Sequence, residues 1–344
     1  MAPTLTEVAR QAGVSLSTAS RAFSDPGRLG PETLRKVLAV AEDLGYQAPV
    51  GARSGEASVE ASTVAVVVPD VANPVFGAFV KAAQAEGWYR RQTVVLVDTD
   101  LNPDREREAI NHLRDQVSGI VVCSPRLTAE DVLACAGQTP VVLVNREAVG
   151  ADCVIADAAD GLRQTVEHLA ALGHRRVAYV QGAQRSWSNS HRVDLVRGLA
   201  EQAGLDLCLL GWQAETAAGG TAAAASVMAS GASAVITHND LVALGVIAGV
   251  RALGVSVPDQ LSVVGIDDIP FAAVAHPALT SVAVPMARAG ALSLELLGRA
   301  VAGDRQAPRT VRLPTQLVVR ASTAPAAAGP AAARPAAACA TELA

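Results

Sequence analysis

Aromatic residues make up only 3% of the 344 residues, so a ring platform for a ligand can come from few positions. The chain has no run of about 18 uninterrupted apolar residues, which excludes an ordinary transmembrane helix and leaves no membrane partner to expect. Its first residues, MAPTLTEVARQAGVS, lack a basic start followed by an apolar stretch, so no secretory signal is expected and the expected location is the cytoplasm. The five cysteines (Cys123, Cys135, Cys153, Cys208 and Cys339) are odd in number and form no CxxC pair. That speaks against a disulfide scaffold or a structural zinc site and for buried thiols in a reducing compartment. His112, His168, His191, His238 and His276 show no HxxxH or HxH spacing, so no metal is expected. GxSxG, P-loop and HExxH motifs are missing, no cysteine has an obvious histidine partner, and no GxGxxG follows the first apolar run. The expectation is a protein without catalytic residues or cofactor. With a net charge of −5, any basic surface for nucleic acid must be local.

What is present is a large store of apolar side chains: 50% hydrophobic residues against 18% charged, with a mean hydropathy of +0.29. The length suits about two domains and a smaller third. Residues 1–46 read as helices without a strand-like run. Residues 47–61 are small, polar and Pro/Gly-bearing, as a linker is. From 62 to about 323, short apolar runs alternate with helical stretches. The runs are 64–68, 94–97, 119–122, 141–144, 177–180, 234–236 and 261–264; the helical stretches include 76–90, 161–172, 192–203 and 241–253. Continuous Val/Ile runs suit parallel strands buried on both faces. Their number exceeds one ordinary sheet, so the pattern predicts two doubly wound α/β lobes with a ligand crevice at the carboxyl ends of the strands. Residues 324–344, rich in Ala and Pro, are expected to be disordered.

Within the first segment, Thr4 and Glu7 have capping-box spacing, Gly13 makes a turn, and Ser15 can cap a second helix. That helix buries Ala19, Ala22 and Phe23 and shows Leu16, Ser17, Ser20 and Arg21 outward. A third helix from Gly30-Pro31 buries Leu34, Val37, Leu38, Ala41 and Leu44. This is the pattern of a helix-turn-helix; it also fits a three-helix module that packs on the core and nothing else.

The string TLTEVARQAGVSLSTASRAF (4–23) followed by RKVLAVAEDLGY (35–46) resembles the headpiece of the LacI/GalR family of bacterial repressors. The resemblance continues in order through VVPDVANPVF (67–76), HLAALGHRRVA (168–178), NDLVALG (239–245), VPDQLSVVGIDD (257–268) and HPALTSV (276–282). It implies a small all-α helix-turn-helix headpiece followed by a two-lobed α/β core like a periplasmic binding protein, with doubly wound parallel sheets. The implied division is a headpiece at 1–46, a hinge at 47–61, one lobe from 62–157 and 285–311, the other from 158–284 and 312–322, and a tail at 323–344. The resemblance also implies a homodimer on a palindromic double-stranded DNA operator, nucleoid-associated when bound, and controlled by a small effector such as a sugar or nucleoside.

By position, the resemblance makes Leu16 and Ser17 the specificity pair, with Thr18, Ser20 and Arg21 on backbone or base edges; Thr4 and Arg53 complete the DNA-contacting set. Leu16 can pack on a thymine methyl or cover the headpiece core. Two hinge positions depart from the family: Pro49 replaces the usual asparagine, and Gly55 stands where a leucine wedges into the minor groove. The implied effector residues are Asn73, Phe76, Arg192, Asn239 and Asp267. Arg donates a fork, Asp accepts in pairs and Asn does both, which suits vicinal hydroxyls. Each has a structural alternative: a surface ion pair for Arg192, a cap for Asp267, a turn brace for Asn239. Trp187, Trp212 and Phe271 are further ring candidates near the cleft, His174 is expected to be structural, and Asp157 carries little weight as a ligand.

Overall fold

The structure, a computed structural model, describes residues 3–24, 29–44, 46, 62–303 and 307–327. It parts into two compact units, one ending at Ser62 and the other beginning at Thr63.

The first unit holds α1 (Leu5–Ala12), α2 (Leu16–Ser24) and α3 (Pro31–Asp43). The Thr4 hydroxyl accepts from Glu7 N at 3.4 Å while the Glu7 carboxylate accepts from Thr4 N at 2.8 Å, a reciprocal capping box that secures the first turn. Gly13 closes α1 at φ 67°, a left-handed conformation costly for other residues, and Ser15 Oγ then accepts from Thr18 N at 3.1 Å to start α2. Val8, Ala9, Ala12, Ala19, Ala22, Val37 and Ala41 form the buried centre, closed on one side by an edge-to-face contact of Phe23 with Tyr46. Leu38, expected inside, is 42% exposed. It lies about 100° around the helix from Val37, off the stripe that Val37 shares with Ala41. The hinge positions Pro49, Arg53 and Gly55 lie outside the described residues.

The second unit's strands are β1 (Thr63–Val68), β2 (Thr93–Asp98), β3 (Gly119–Cys123), β4 (Val141–Val144), β5 (Asp152–Asp157), β6 (Arg176–Val180), β7 (Asp206–Leu210), β8 (Ala234–Thr237), β9 (Ser262–Asp267), β10 (Thr280–Ala283), β11 (Thr310–Pro314) and β12 (Gln316–Val318). Between them run α4 (Pro74–Tyr89), α5 (Pro103–Leu113), α6 (Ala129–Ala136), α7 (Ala159–Ala171), α8 (Trp187–Ala203), α9 (Ala217–Ala229), α10 (Asp240–Ala252), α11 (Pro270–Val274) and α12 (Met286–Val301). One sheet has the order β2-β1-β3-β4-β5-β11, with every pairing parallel. The other has β7-β6-β8-β9-β10-β12, parallel except for the β10–β12 edge. All seven apolar runs fall on strands, with Leu261 alone lying just ahead of β9. The five strands outside those runs (β5, β7, β10, β11 and β12) sit at a sheet margin or next to it; of these, β5 and β7 still carry short apolar stretches, Cys153–Ala156 and Leu207–Leu210.

The chain crosses between the sheets after β5, after β10 and between β11 and β12. Thr315 ties these crossings: its hydroxyl donates to Asp157 O at 2.7 Å and accepts from Gly161 N at 3.2 Å. A Cβ on Gly161 would strike Val282 and Thr315. The last crossing was expected between residues 311 and 312. It falls at Thr315 instead, because Leu313 is buried and β11 stays paired with β5 through Pro314. The tail also begins later than 323. Ala326 N donates to Leu172 O at 2.8 Å, and His174 lies between Ser233 Oγ (2.8 Å), Ser262 Oγ (3.1 Å) and Ala324 O (3.2 Å), which gives it the structural part expected.

α9 and α10 touch backbone to backbone through glycines. A Cβ on Gly245 would meet the Ala217 carbonyl oxygen and approach Gly220 Cα to 2.9 Å. Because both obstacles are main chain, Gly245→Val is expected to lower unfolding stability by about 1–3 kcal/mol or more. Urea denaturation of parent and variant checks this.

Candidate functional site

In each sheet the strand order reverses at one point, between β1 and β3 and between β6 and β8. Loops leaving neighbouring strands there diverge to opposite faces and open a crevice. A cleft with an empty volume of about 420 Å³ is lined from both sheets. Its walls include Asn73 and Phe76 beyond β1, Ser124 and Arg126 beyond β3, Asn145 beyond β4, Ser186, Ser188 and Arg192 beyond β6, Glu215 beyond β7, His238 and Asn239 beyond β8, and Asp267 at the end of β9.

All five sequence-derived effector candidates therefore line one cleft, but their amides and charges are used differently. Asn73 caps α4, its Oδ1 accepting from Val75 N at 3.2 Å. Asn239 caps α10, accepting from Val242 N at 2.8 Å, and donates to Glu215 O at 3.0 Å; its amide braces the wall on both sides. Arg192 sits in the second turn of α8 rather than at its start, since that helix begins at Trp187 under a Ser186 cap. Its Nη1 donates to His238 O at 2.6 Å, and its Nη2 lies 3.8 Å from Asp267 Oδ1. Asp267 occupies a left-handed backbone position (φ 125°), which directs the carboxylate where an ordinary strand end would not. Burial raises its pKa well above the usual carboxylate value; Arg192 opposes this, while Asp240 and Glu215 reinforce it.

Arg126, Glu215 and His238 were not among the sequence candidates. Arg126 Nη2 meets Glu215 Oε2 at 2.5 Å, and both side chains are nearly inaccessible. Glu106 fixes the Arg126 loop by accepting from Arg126 N (2.9 Å) and Leu127 N (3.2 Å). Glu215 Oε1 faces His238 Nε2 at 3.3 Å and accepts from Ala183 N at 3.3 Å. Burial alone would raise the Glu215 carboxyl, but its contacts with His238 and Arg126 outweigh that and hold it well below the ordinary range. Burial pushes His238 down, so the ring is neutral near pH 7 and pairs with Glu215 as a hydrogen-bond donor. A usable signal existed for Arg126 and His238: they lie four and two residues beyond the apolar runs 119–122 and 234–236, on the side where the carboxyl-end rule places ligands. Glu215 lies five residues beyond β7, whose apolar residues Leu207–Leu210 were not among the seven runs.

The other aromatic candidates stay out of the cleft lining. Trp187 stacks on His191 at 5.0 Å, and Trp212 and Phe271 are half-exposed. Asp157 accepts from Ala159 N at 3.0 Å and contacts Arg312, so it serves the lobe crossing. Among the described residues, no cluster of three or more His, Cys, Asp or Glu side chains could hold a metal, and no helix is long and apolar enough to cross a membrane. In the first unit, Leu16 is 51% exposed, Ser17, Ser20 and Arg21 are exposed, and Thr18 is half-buried. Leu16 thus lies outward. Ser17 and Thr18 hydroxyls both contact Ser15 Oγ, at 2.9 and 2.8 Å.

A helix-turn-helix unit in one chain with a two-sheet cleft defines a DNA-binding transcription regulator with a periplasmic-binding-protein-like core. Residues 4–48 match the family of bacterial regulatory proteins of the lacI type, and residues 166–323 match the periplasmic binding protein-like domain. The HTH-type transcriptional regulator GalS of Salmonella typhimurium is 31% identical over 329 residues, covering 93% of this chain and 96% of that one. The chain belongs to the LacI family of transcriptional regulators. Among solved structures, a CelR–cellobiose complex is 28% identical with a TM-score of 0.68, covering 93% of this chain and 99% of that one. The lac repressor dimer bound to operator and the anti-inducer ONPF shares the fold at a TM-score of 0.75 and 24% identity, covering 94% of this chain and all of that one. Relatives of this kind are named as regulators, not enzymes.

Asp240, beside Asp267, gives the core a pH dependence. Its carboxyl is buried, accepts from Ser281 Oγ at 2.5 Å and from Ile269 N at 2.8 Å, and is pushed by burial to about 6 from 3.8. The folded state therefore holds this proton more tightly than the unfolded state. The stabilisation is complete below about pH 4 and is lost as pH rises through about 6, an amount of order 3 kcal/mol. Between pH 4 and 7, Asp240→Asn is expected to flatten that slope in unfolding free energy, measured by denaturant titration at each pH.

Proposed function

We propose that this chain is a repressor which binds a palindromic operator as a homodimer and is controlled by a sugar- or nucleoside-like effector held between its lobes. The observation that carries this reading is the convergence of Asn73, Phe76, Arg192, Asn239 and Asp267 on one cleft at the reversal points of both sheets. The dense set of donors and acceptors suits a ligand rich in hydroxyls. A DNA partner is supported by the outward residues of α2, whose Leu16 offers an apolar contact of the kind a thymine methyl takes. Homodimer formation is supported by an apolar ridge on the first lobe. There Trp88 and Tyr89, at the end of α4, are 87% and 82% exposed, and Val95 and Leu96 of the edge strand β2 are partly exposed. A regulator of this kind works in the cytoplasm, on the nucleoid. The division into headpiece, hinge and two lobes supplies the coupling: a ligand favouring one lobe arrangement shifts the spacing of paired headpieces.

Arg21→Ala is expected to weaken operator binding by about 1–3 kcal/mol, and Ser17 substitutions to alter half-site preference, in titrations of labelled duplex at matched salt. Equal binding of operator and random DNA by parent and Arg21→Ala would remove α2 as the reading helix. Asp267→Ala and Arg192→Ala are each expected to abolish the effector response while basal DNA binding persists, because a buried polar ligand group left unpaired costs about 2 kcal/mol or more. Calorimetry against a sugar and nucleoside panel is the check; unchanged affinity in both variants would put the effector site elsewhere.

A further inference from the structure

We propose that Glu215 selects the effector by charge, standing in the cleft as an internal anion that keeps the Arg126 guanidinium from any anionic ligand. The effector class is then an uncharged polyol, without phosphate or carboxylate. This deepens the effector reading given under Proposed function and rests on it.

Two guanidiniums and two carboxylates face this cleft, and they come in pairs. Arg126, from the loop after β3, is joined to Glu215, from the segment before α9, at 2.5 Å, so the contact spans the two lobes. Arg192 is set against Asp267 at 3.8 Å and is held by the His238 carbonyl at 2.6 Å. Glu215 is fixed on its other side by Ala183 N and His238 Nε2, both at 3.3 Å. A phosphate or carboxylate entering this cleft finds its strongest donor already bonded and a carboxylate in the place it needs. To reach Arg126 it must displace Glu215, leaving a buried carboxylate without its cation, which is strongly unfavourable. A hydroxyl-bearing ligand meets no such conflict. It can donate to Asp267, whose pairing with Arg192 is loose, and accept from the Arg192 fork.

The test uses the full-length protein and matched probes: glucose with glucose 6-phosphate, galactose with galacturonate, ribose with ribose 5-phosphate, and inorganic phosphate alone. Thermal unfolding and calorimetry are run at constant ionic strength. In the parent, no anionic probe is expected to bind. In Glu215→Gln, inorganic phosphate is expected to raise Tm, with at least a tenfold gain in affinity for the anionic member of a pair. Adding Arg126→Met to Glu215→Gln is expected to remove that gain. Should Glu215→Gln fail a circular-dichroism check of folding, Glu215→Met takes its place, with the same expectation. Anion binding by the parent, or no gain in the folded variant, overturns the proposal. The regulator reading is scored separately, by operator binding of the parent and its response to the neutral probes, so one can fail without the other.

Discussion

Successive parallel strands require the chain to climb back over the face of the sheet before each new strand begins. Every strand of a parallel sheet therefore ends at the same edge, and every loop leaving a strand opens there. In this core two such sheets are joined by three crossings, and their carboxyl edges face one cleft. The cleft-lining residues lie far apart in sequence, from Asn73 to Asp267, yet they meet because each lies at or beyond a strand end on the same side of the core. Thr315 and Gly161 matter for the same reason: they tie crossings together, and the alignment of two edges depends on those crossings.

Electrostatics inside the cleft follows from its depth. Water screens little there, so charges are tolerated only where partners stand close. Arg126 and Glu215 meet that demand with one close contact, and His238 meets it by remaining neutral between Arg126 and Arg192. Asp267 is less well matched, with Arg192 at 3.8 Å and neighbouring carboxylates pushing its proton affinity up. Asn239 shows the reverse: its amide is engaged on both sides and holds the cleft wall in place.

Much of this was legible in the order of residues. The capping box at Thr4 and Glu7, the Gly13 turn and the Ser15 cap are local interactions among residues a few positions apart, and spacing alone determines them. Six of the seven apolar runs marked strands buried on both faces, which can carry little else, while the run at 94–97 marked the edge strand β2, none of whose residues is buried. The alternation of strand and helix determined the fold class, and the co-linear motifs from Thr4 onward determined the family. The same motifs picked out Asn73, Phe76, Arg192, Asn239 and Asp267, which line one cleft.

Only the tertiary structure decided the rest. The marginal strands β10, β11 and β12, which lack a four-residue apolar run, draw their order from pairing with neighbours, so their own residues need not announce them. The last crossing moved to Thr315 because register with β5 holds β11 through Pro314. Leu38 stayed outside because the wheel position that packs against α1 and α2 belongs to Val37 and Ala41. The Arg126–Glu215 contact joins residues 89 positions apart on different lobes, and no local pattern encodes it. Sequence determines what each residue can do within a turn or two of chain. Which distant charge it faces is set by two sheets meeting edge to edge, a consequence of packing that no single segment contains.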